Sequence, residues 1–240
     1  MPLSRPVLSF DTSLQGVSCG INDPQSGQGF KIVSNMPRGQ AEILVPTIRK
    51  LLSYAEISFD GLEAVVTTIG PGAFTGLRIG LSTARALRLS LNCPVYGINT
   101  LDVLARQFLS TSRGHFINAE SRICVLIETK RQDFYTRFYT QNGDAESPPQ
   151  SLGSGELANL IKPSDLLVGD GVARLIAETN RYQDQFIDGF YLADPKIMAQ
   201  IYKESARDKI DPETESLRPV YLRDADVSRS KTSYRSLSDH

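Results

Sequence analysis

The 240-residue sequence contains no tryptophan and two histidines, His115 and His240. A catalytic metal or a serine-protease triad needs convergent imidazoles, thiolates or carboxylates. His115 stands in a polar stretch and His240 is the last residue, and neither has a second His or Cys at ligand spacing. The three cysteines, Cys19, Cys93 and Cys124, are far apart and form no C-x-x-C pair. That excludes a zinc ribbon or a redox dithiol and points to reduced thiols in a cytoplasmic protein. No apolar run approaches the roughly 20 residues that span a bilayer. Met1–Phe10 has no charged region followed by a long apolar run, so it does not read as a signal peptide. An excess of positive charge is also missing. Lys plus Arg is 26 against 27 Asp plus Glu, a net charge of -1. A whole-chain basic footprint for nucleic acid is therefore excluded, and any RNA would be held by a local patch or by a partner. What remains is an ordinary globular composition, 40% hydrophobic and 22% charged, long enough for two lobes.

The chain changes period along its length. Residues 6–11, 16–21 and 28–34 read as three short strands with tight connections, the pattern of an antiparallel meander. From Gln40 to Glu56 the apolar side chains Ile43, Leu44, Ile48, Leu51, Leu52 and Ala55 fall at helical spacing. Residues 62–69 are β-branched and short, as in a buried strand. A breaker-rich loop, 70–76, opens a second helix over 75–91. A strand at 94–98 and a helix at 100–109 follow. The order βββαβαβα is that of a ribonuclease-H-like lobe, so the expected fold class is α/β, with a first lobe over 1–110. Beyond the polar stretch 110–120, residues 122–128 and 133–140 read as a hairpin, 142–150 as a loop and 154–161 as a helix. A strand at 166–168 and helices at 172–180 and 195–209 complete a second lobe over 111–223. Residues 224–240 hold five serines and read as a disordered tail. The two halves share a loose likeness of strand order.

The loop Gly70-Pro71-Gly72-Ala73-Phe74-Thr75-Gly76 joins a strand to a helix, a junction whose free N–H groups can hold phosphate. It is not a Walker loop, because Leu77-Arg78 follows Gly76 where Lys-Ser or Lys-Thr is needed. It departs from the dinucleotide fingerprint in spacing. The next strand ends at Ile98-Asn99 without an acid for a ribose. An actin-like nucleotide site stays open, with Asp11 and Thr12 after the first strand and Gly70 and Gly72 in the loop. Gly76, Gly80 and Ala84 recur every four residues and form a small-residue stripe. Such a stripe suits close packing against the first helix or against another chain.

Asp11-Thr12-Ser13, Arg38-Gly39-Gln40-Ala41-Glu42 and above all Gly70–Gly80 (GPGAFTGLRIG) resemble the TsaB (YeaZ) family. Pro94–Ile98 and Pro219–Arg223 sit where that family carries similar segments. Gln40 replaces the family's histidine, and the hairpin turn Glu128–Asp133 lacks the family's glycine. The resemblance implies a two-lobed ASKHA fold (actin, Hsp70 and sugar-kinase-like). It also implies a non-catalytic role in forming N6-threonylcarbamoyladenosine on tRNA. The implied partners are a TsaD-like catalytic paralogue, a TsaE-like ATPase and a second copy of the chain when alone, with tRNA contact indirect. No cofactor is required; a weak or vestigial ATP or ADP site with Mg is compatible with it. The implied interface lies on helices 42–55 and 75–89, with Leu44, Ile48, Leu51, Gly76, Ile79, Gly80 and Thr83 as its candidates.

Overall fold

The computed structural model describes residues 6–36, 38–91, 93–114, 118, 120–207 and 217–222. Strands β1 (Val7–Asp11), β2 (Gly16–Asn22) and β3 (Gly29–Asn35) form the expected antiparallel meander. Helix α1 (Gln40–Ala55) crosses to β4 (Ala64–Gly70), and α2 (Phe74–Leu91) to β5 (Val95–Asn99). Both β4 and β5 run parallel to β1, giving a sheet of order β3-β2-β1-β4-β5. Helix α3 (Thr100–Leu109) closes the unit, its first turn capped by Asn99, whose side chain accepts from the Leu101 N–H.

The second unit repeats the first. Strands β6 (Ile123–Glu128), β7 (Asp133–Tyr139) and β8 (Gln150–Gly153) form a meander. Helix α4 (Ser154–Leu160), β9 (Leu166–Val168), α5 (Val172–Thr179), β10 (Phe186–Ile187) and α6 (Pro195–Arg207) follow. The sheet order β8-β7-β6-β9-β10 is that of the first sheet with each member replaced by its counterpart. The likeness of strand order in the halves is thus a full duplication of topology. Even the special backbone recurs: Gly70 ends β4 at φ 104°, and Gly169 follows β9 at φ 114°. Both lie in the region open to glycine at no steric cost. The β6–β7 turn closes without a glycine. Lys130 takes φ 57° there, and Thr129 Oγ1 donates to the Asp133 carbonyl at 2.6 Å.

Strand alternation sorts the side chains into layers. Leu8 and Phe10 of β1 point to an outer core with Leu44, Ile48, Leu51 and Leu52 of α1 and Leu81 and Ala84 of α2. Val7 points to a central core that joins both sheets through α3 and α6. The outer face of the second sheet packs Leu126 and Phe134 under Leu157 of α4 and Leu175 of α5. The order is therefore helix pair, sheet, helix pair, sheet, helix pair. The central pair is exchanged: α3 of the first unit touches β6, β7 and β9, and α6 of the second unit touches β1 and β2. Residues 217–222, placed by chain order in the second lobe, return to the first, where Leu217 is buried beside α1 and α2. The expected tail from 224 lies outside the described residues, as do His115 and His240.

Candidate functional site

Two places gather the residues singled out by sequence. The first is the turn after β1. Asp11 is fully buried, and its Oδ1 accepts from the Ser13 N–H (3.0 Å), Ser13 Oγ (2.6 Å) and Thr68 Oγ1 (2.5 Å). No hydrogen bond among the described residues reaches its Oδ2. Thr12 Oγ1 donates to the Gly76 carbonyl at 2.6 Å, and the Ala73 N–H donates to the Ser13 carbonyl at 2.7 Å. The glycine loop is thereby closed onto the turn. A β-carbon at Gly72 would lie 2.6 Å from the Ser13 carbonyl oxygen, and one at Gly76 only 1.9 Å from that of Thr12.

Across the cleft, β6 ends at Glu128 and the β9–α5 turn carries Asp170. Asp170 Oδ1 accepts from the Glu128 N–H at 2.8 Å and Oδ2 from Gln15 Nε2 at 3.1 Å, the latter a bond between lobes. Burial, with a smaller push from the Glu128 charge, raises Asp170 to about 6. Glu128 in turn holds Arg174 Nε at 2.6 Å. The cleft of about 360 Å³ that Ser13, Gln15, Glu128, Lys130 and Asp170 line is thus faced by two carboxylates. The hollow of the glycine loop is occupied by the Thr12–Ser13 turn, and the opposite wall carries Lys130, Asp170 and Glu128, the last paired with Arg174.

The second place is the outer helix pair. Leu44, Ile48 and Leu51 are at most 1% exposed and belong to the chain's own core, where each contributes about 1.5–3 kcal/mol. Gly76 and Gly80 also face inward. A β-carbon at Gly80 would meet Thr12 Oγ1 at 2.9 Å and Thr67 Oγ1 at 3.3 Å. The small-residue stripe therefore packs α2 onto the ends of β1 and β4. Ala84, the third member of the stripe, sits in the outer core with the leucines of α1. Ile79 and Thr83, half-buried, lie beside the stripe, and Ile79 packs against the outer core. With Ala41, Phe74, Thr75, Arg78 and Ser82 they line a shallow groove between α1 and α2. Val45, Tyr54, Phe74 and Leu89 add exposed apolar surface on the same two helices, at 45%, 65%, 39% and 89% exposure. The resemblance points to this helix pair, but of its candidates Leu44, Ile48, Leu51, Gly76 and Gly80 face inward. Val45, Phe74 and Ala41 were the surface signal: small or apolar residues off the main stripe.

A family profile described as "TsaD: tRNA N6-adenosine threonylcarbamoyltransferase" matches residues 35–152, a span that includes α1 and α2. The tRNA threonylcarbamoyladenosine biosynthesis protein TsaB of Buchnera aphidicola (Schizaphis graminum) is 26% identical over 87% of this chain and 98% of that protein. Over most of its length the chain is thus similar to TsaB (YeaZ) proteins. Other TsaB proteins, including that of Escherichia coli, match over 55% to 60% of their length. In fold, the chain superimposes on YeaZ from Pseudomonas aeruginosa with a TM-score of 0.74 at 23% identity, covering 91% of this chain and all of that one. The inorganic polyphosphate/ATP-glucomannokinase of Arthrobacter gives a TM-score of 0.50 at 14% identity over 85% of this chain and 99% of that one. The fold is a mixed α/β architecture of two sheets that resembles YeaZ and the sugar-kinase-like (ASKHA-like) folds. No helix among the described residues is long and apolar enough to cross a membrane.

Proposed function

We propose that this chain is the scaffold subunit of a cytoplasmic assembly that forms threonylcarbamoyladenosine on tRNA, and that α1 and α2 dock a TsaD-like catalytic paralogue. The observation that carries the reading is the groove between α1 and α2, with Val45, Tyr54, Phe74 and Leu89 exposed on the same two helices, in a chain similar to TsaB proteins. Exposed contiguous apolar surface marks interaction sites. The TsaD profile spans the same two helices, so a TsaD-like partner carries counterparts of both. Two paralogues can then pair as a homodimer does, each offering the equivalent surface across an approximate two-fold axis. A TsaE-like ATPase would join the assembled pair, and tRNA would be held chiefly by the partner. The scaffold acts by favouring one conformation of the catalytic chain, since a binding partner shifts an equilibrium only through differential affinity.

Light scattering on mixtures with the TsaD-like protein of the same genome tests this. Wild type forms a heterodimer, and Ile79→Glu, a charge placed in the groove, loses it; because Ile79 also packs against the outer core, the thermal midpoint is measured alongside and the complex must be lost at a temperature where the variant is folded. A wild type that stays apart from the TsaD-like protein, or an Ile79→Glu variant that still binds, removes the proposal. Gly80→Leu is unsuited to the purpose, because the new side chain would strike Thr12 and Thr67 inside the fold.

A further inference from the structure

The groove between α1 and α2 does not end at α2. The segment Leu217–Leu222 crosses the N-terminal half of that helix and is fastened at three points. The Leu217 side chain is buried in the outer core, and its carbonyl accepts from Arg85 Nη2 at 3.0 Å. The Val220 N–H donates to the Ile69 carbonyl at 2.7 Å, so the strap is pinned to the end of β4. Tyr221, 45% exposed, then lays its ring against Phe74, with centroids 5.5 Å apart at 40°. The Arg78 guanidinium stacks on the same phenylalanine at 3.9 Å from its centroid. Phe74 and Arg78 both line the groove. The strap therefore extends the groove wall by an aromatic residue held in place by a buried leucine and a backbone bond.

A Tyr ring at the edge of a shallow apolar surface is the residue type that anchors interfaces. It brings large area at the cost of two rotatable bonds, with a hydroxyl that stays wet. Charge indicates what sits against it. Helices α1 and α2 together carry Arg49, Lys50, Arg78, Arg85 and Arg88 against Glu42 alone. The chain as a whole has a net charge of -1. A second copy would set this basic layer against itself, whereas a partner whose corresponding helices are acidic would complement it.

We propose that the Leu217–Leu222 strap is part of the docking surface. Tyr221, with Phe74 and Arg78, forms its aromatic–cationic end, and the occupant is a TsaD-like chain with an acidic, apolar helix face. This rests on the docking reading above. The test measures the affinity of purified TsaD-like protein for the full chain by calorimetry at low salt, alongside thermal midpoints. Tyr221→Ala weakens the heterodimer by at least about 10-fold, a typical loss for an interface anchor. Tyr221→Phe keeps the affinity. Val220→Pro, which removes the N–H that pins the strap, weakens binding with the tyrosine intact. The two Tyr221 variants retain the wild-type midpoint to within about 2 °C, as substitutions at exposed positions do, whereas Val220→Pro, at a half-buried position, also lowers it. Wild-type affinity in Tyr221→Ala, while Ile79→Glu abolishes the complex, overturns the strap and leaves the docking reading standing. Undiminished binding by Ile79→Glu overturns the docking reading itself. If Tyr221→Ala disturbs self-association alone, the occupant is a second copy and the proposal fails. Parallel loss of midpoint and affinity in Tyr221→Ala shows a merely structural strap.

Discussion

Gly76 leaves no space for a side chain, because the Thr12 carbonyl oxygen would lie 1.9 Å from its β-carbon. Gly76→Ala is expected to cost about 3 kcal/mol, the upper part of the range for overpacking against an unyielding neighbour. The thermal midpoint should fall by roughly 6–12 °C for a chain of this size. A calorimetric scan that shows less than about 2 °C would mean that the turn at Thr12 yields easily. Asp170 gives a pH dependence. Its carboxyl titrates near 6 in the folded chain against 3.8 when unfolded, so the folded state holds the proton more tightly between those values. Stability is therefore greatest below about pH 4 as far as this group is concerned. It declines as pH rises toward 6, by on the order of 2 kcal/mol. Asp170→Asn should flatten that stretch of the profile, read as urea midpoints at pH 4.5 and pH 7 relative to wild type. At this scale the sequence was legible in part. Asp11-Thr12-Ser13 and the glycine loop were recognisable as partners in a site, but the sequence did not say that they fill each other's space. Short side chains next to glycines can frame a ligand or can be the packing itself.

Helix α6 shows how an element can belong to one half of the chain and stabilise the other. Met198 and Ala199 are fully buried in the core that also holds Val7, Ala64 and Val66. Met198→Ala should cost about 2–5 kcal/mol, the range for a buried methionine. Because α6 touches β1 and β2, amide exchange in those strands should rise together with exchange in the second sheet. Protection lost in the second sheet alone would refute the exchange of helices as an energetic fact. Most elements were readable from period and turn chemistry, since strands β1 to β7 alternate or are β-branched and the helices carry clear apolar faces. Two were not. β8 reads Gln-Ser-Leu-Gly and β10 is a Phe-Ile pair, and both exist because a neighbouring strand offers its edge. Their own propensity is weak. The buried side of α1 was legible, because Leu44, Ile48, Leu51 and Leu52, apolar at helical spacing, are the residues it buries.

The whole molecule carries a layered core that runs without interruption from the first sheet through α3 and α6 to the second. Unfolding should accordingly be a single transition, with coincident near- and far-ultraviolet signals. Two separated transitions would show lobes that are energetically independent. The basic layer on α1–α2 adds a prediction about assembly. Between about 50 mM and about 500 mM salt, self-association through this face should strengthen as like charges are screened. The heterodimer should weaken over the same range. Sedimentation at the two salt concentrations checks both signs. The exchanged helices also bear on how the chain is made. The inner face of the first sheet is complete only when Met198 and Tyr202 arrive, about a hundred residues after β5 has left the ribosome. At 5–20 residues per second, that apolar face waits on the order of 5–20 s for its cover. A nascent chain halted before α6 should therefore be the form that trigger-factor-like chaperones bind and proteases cut.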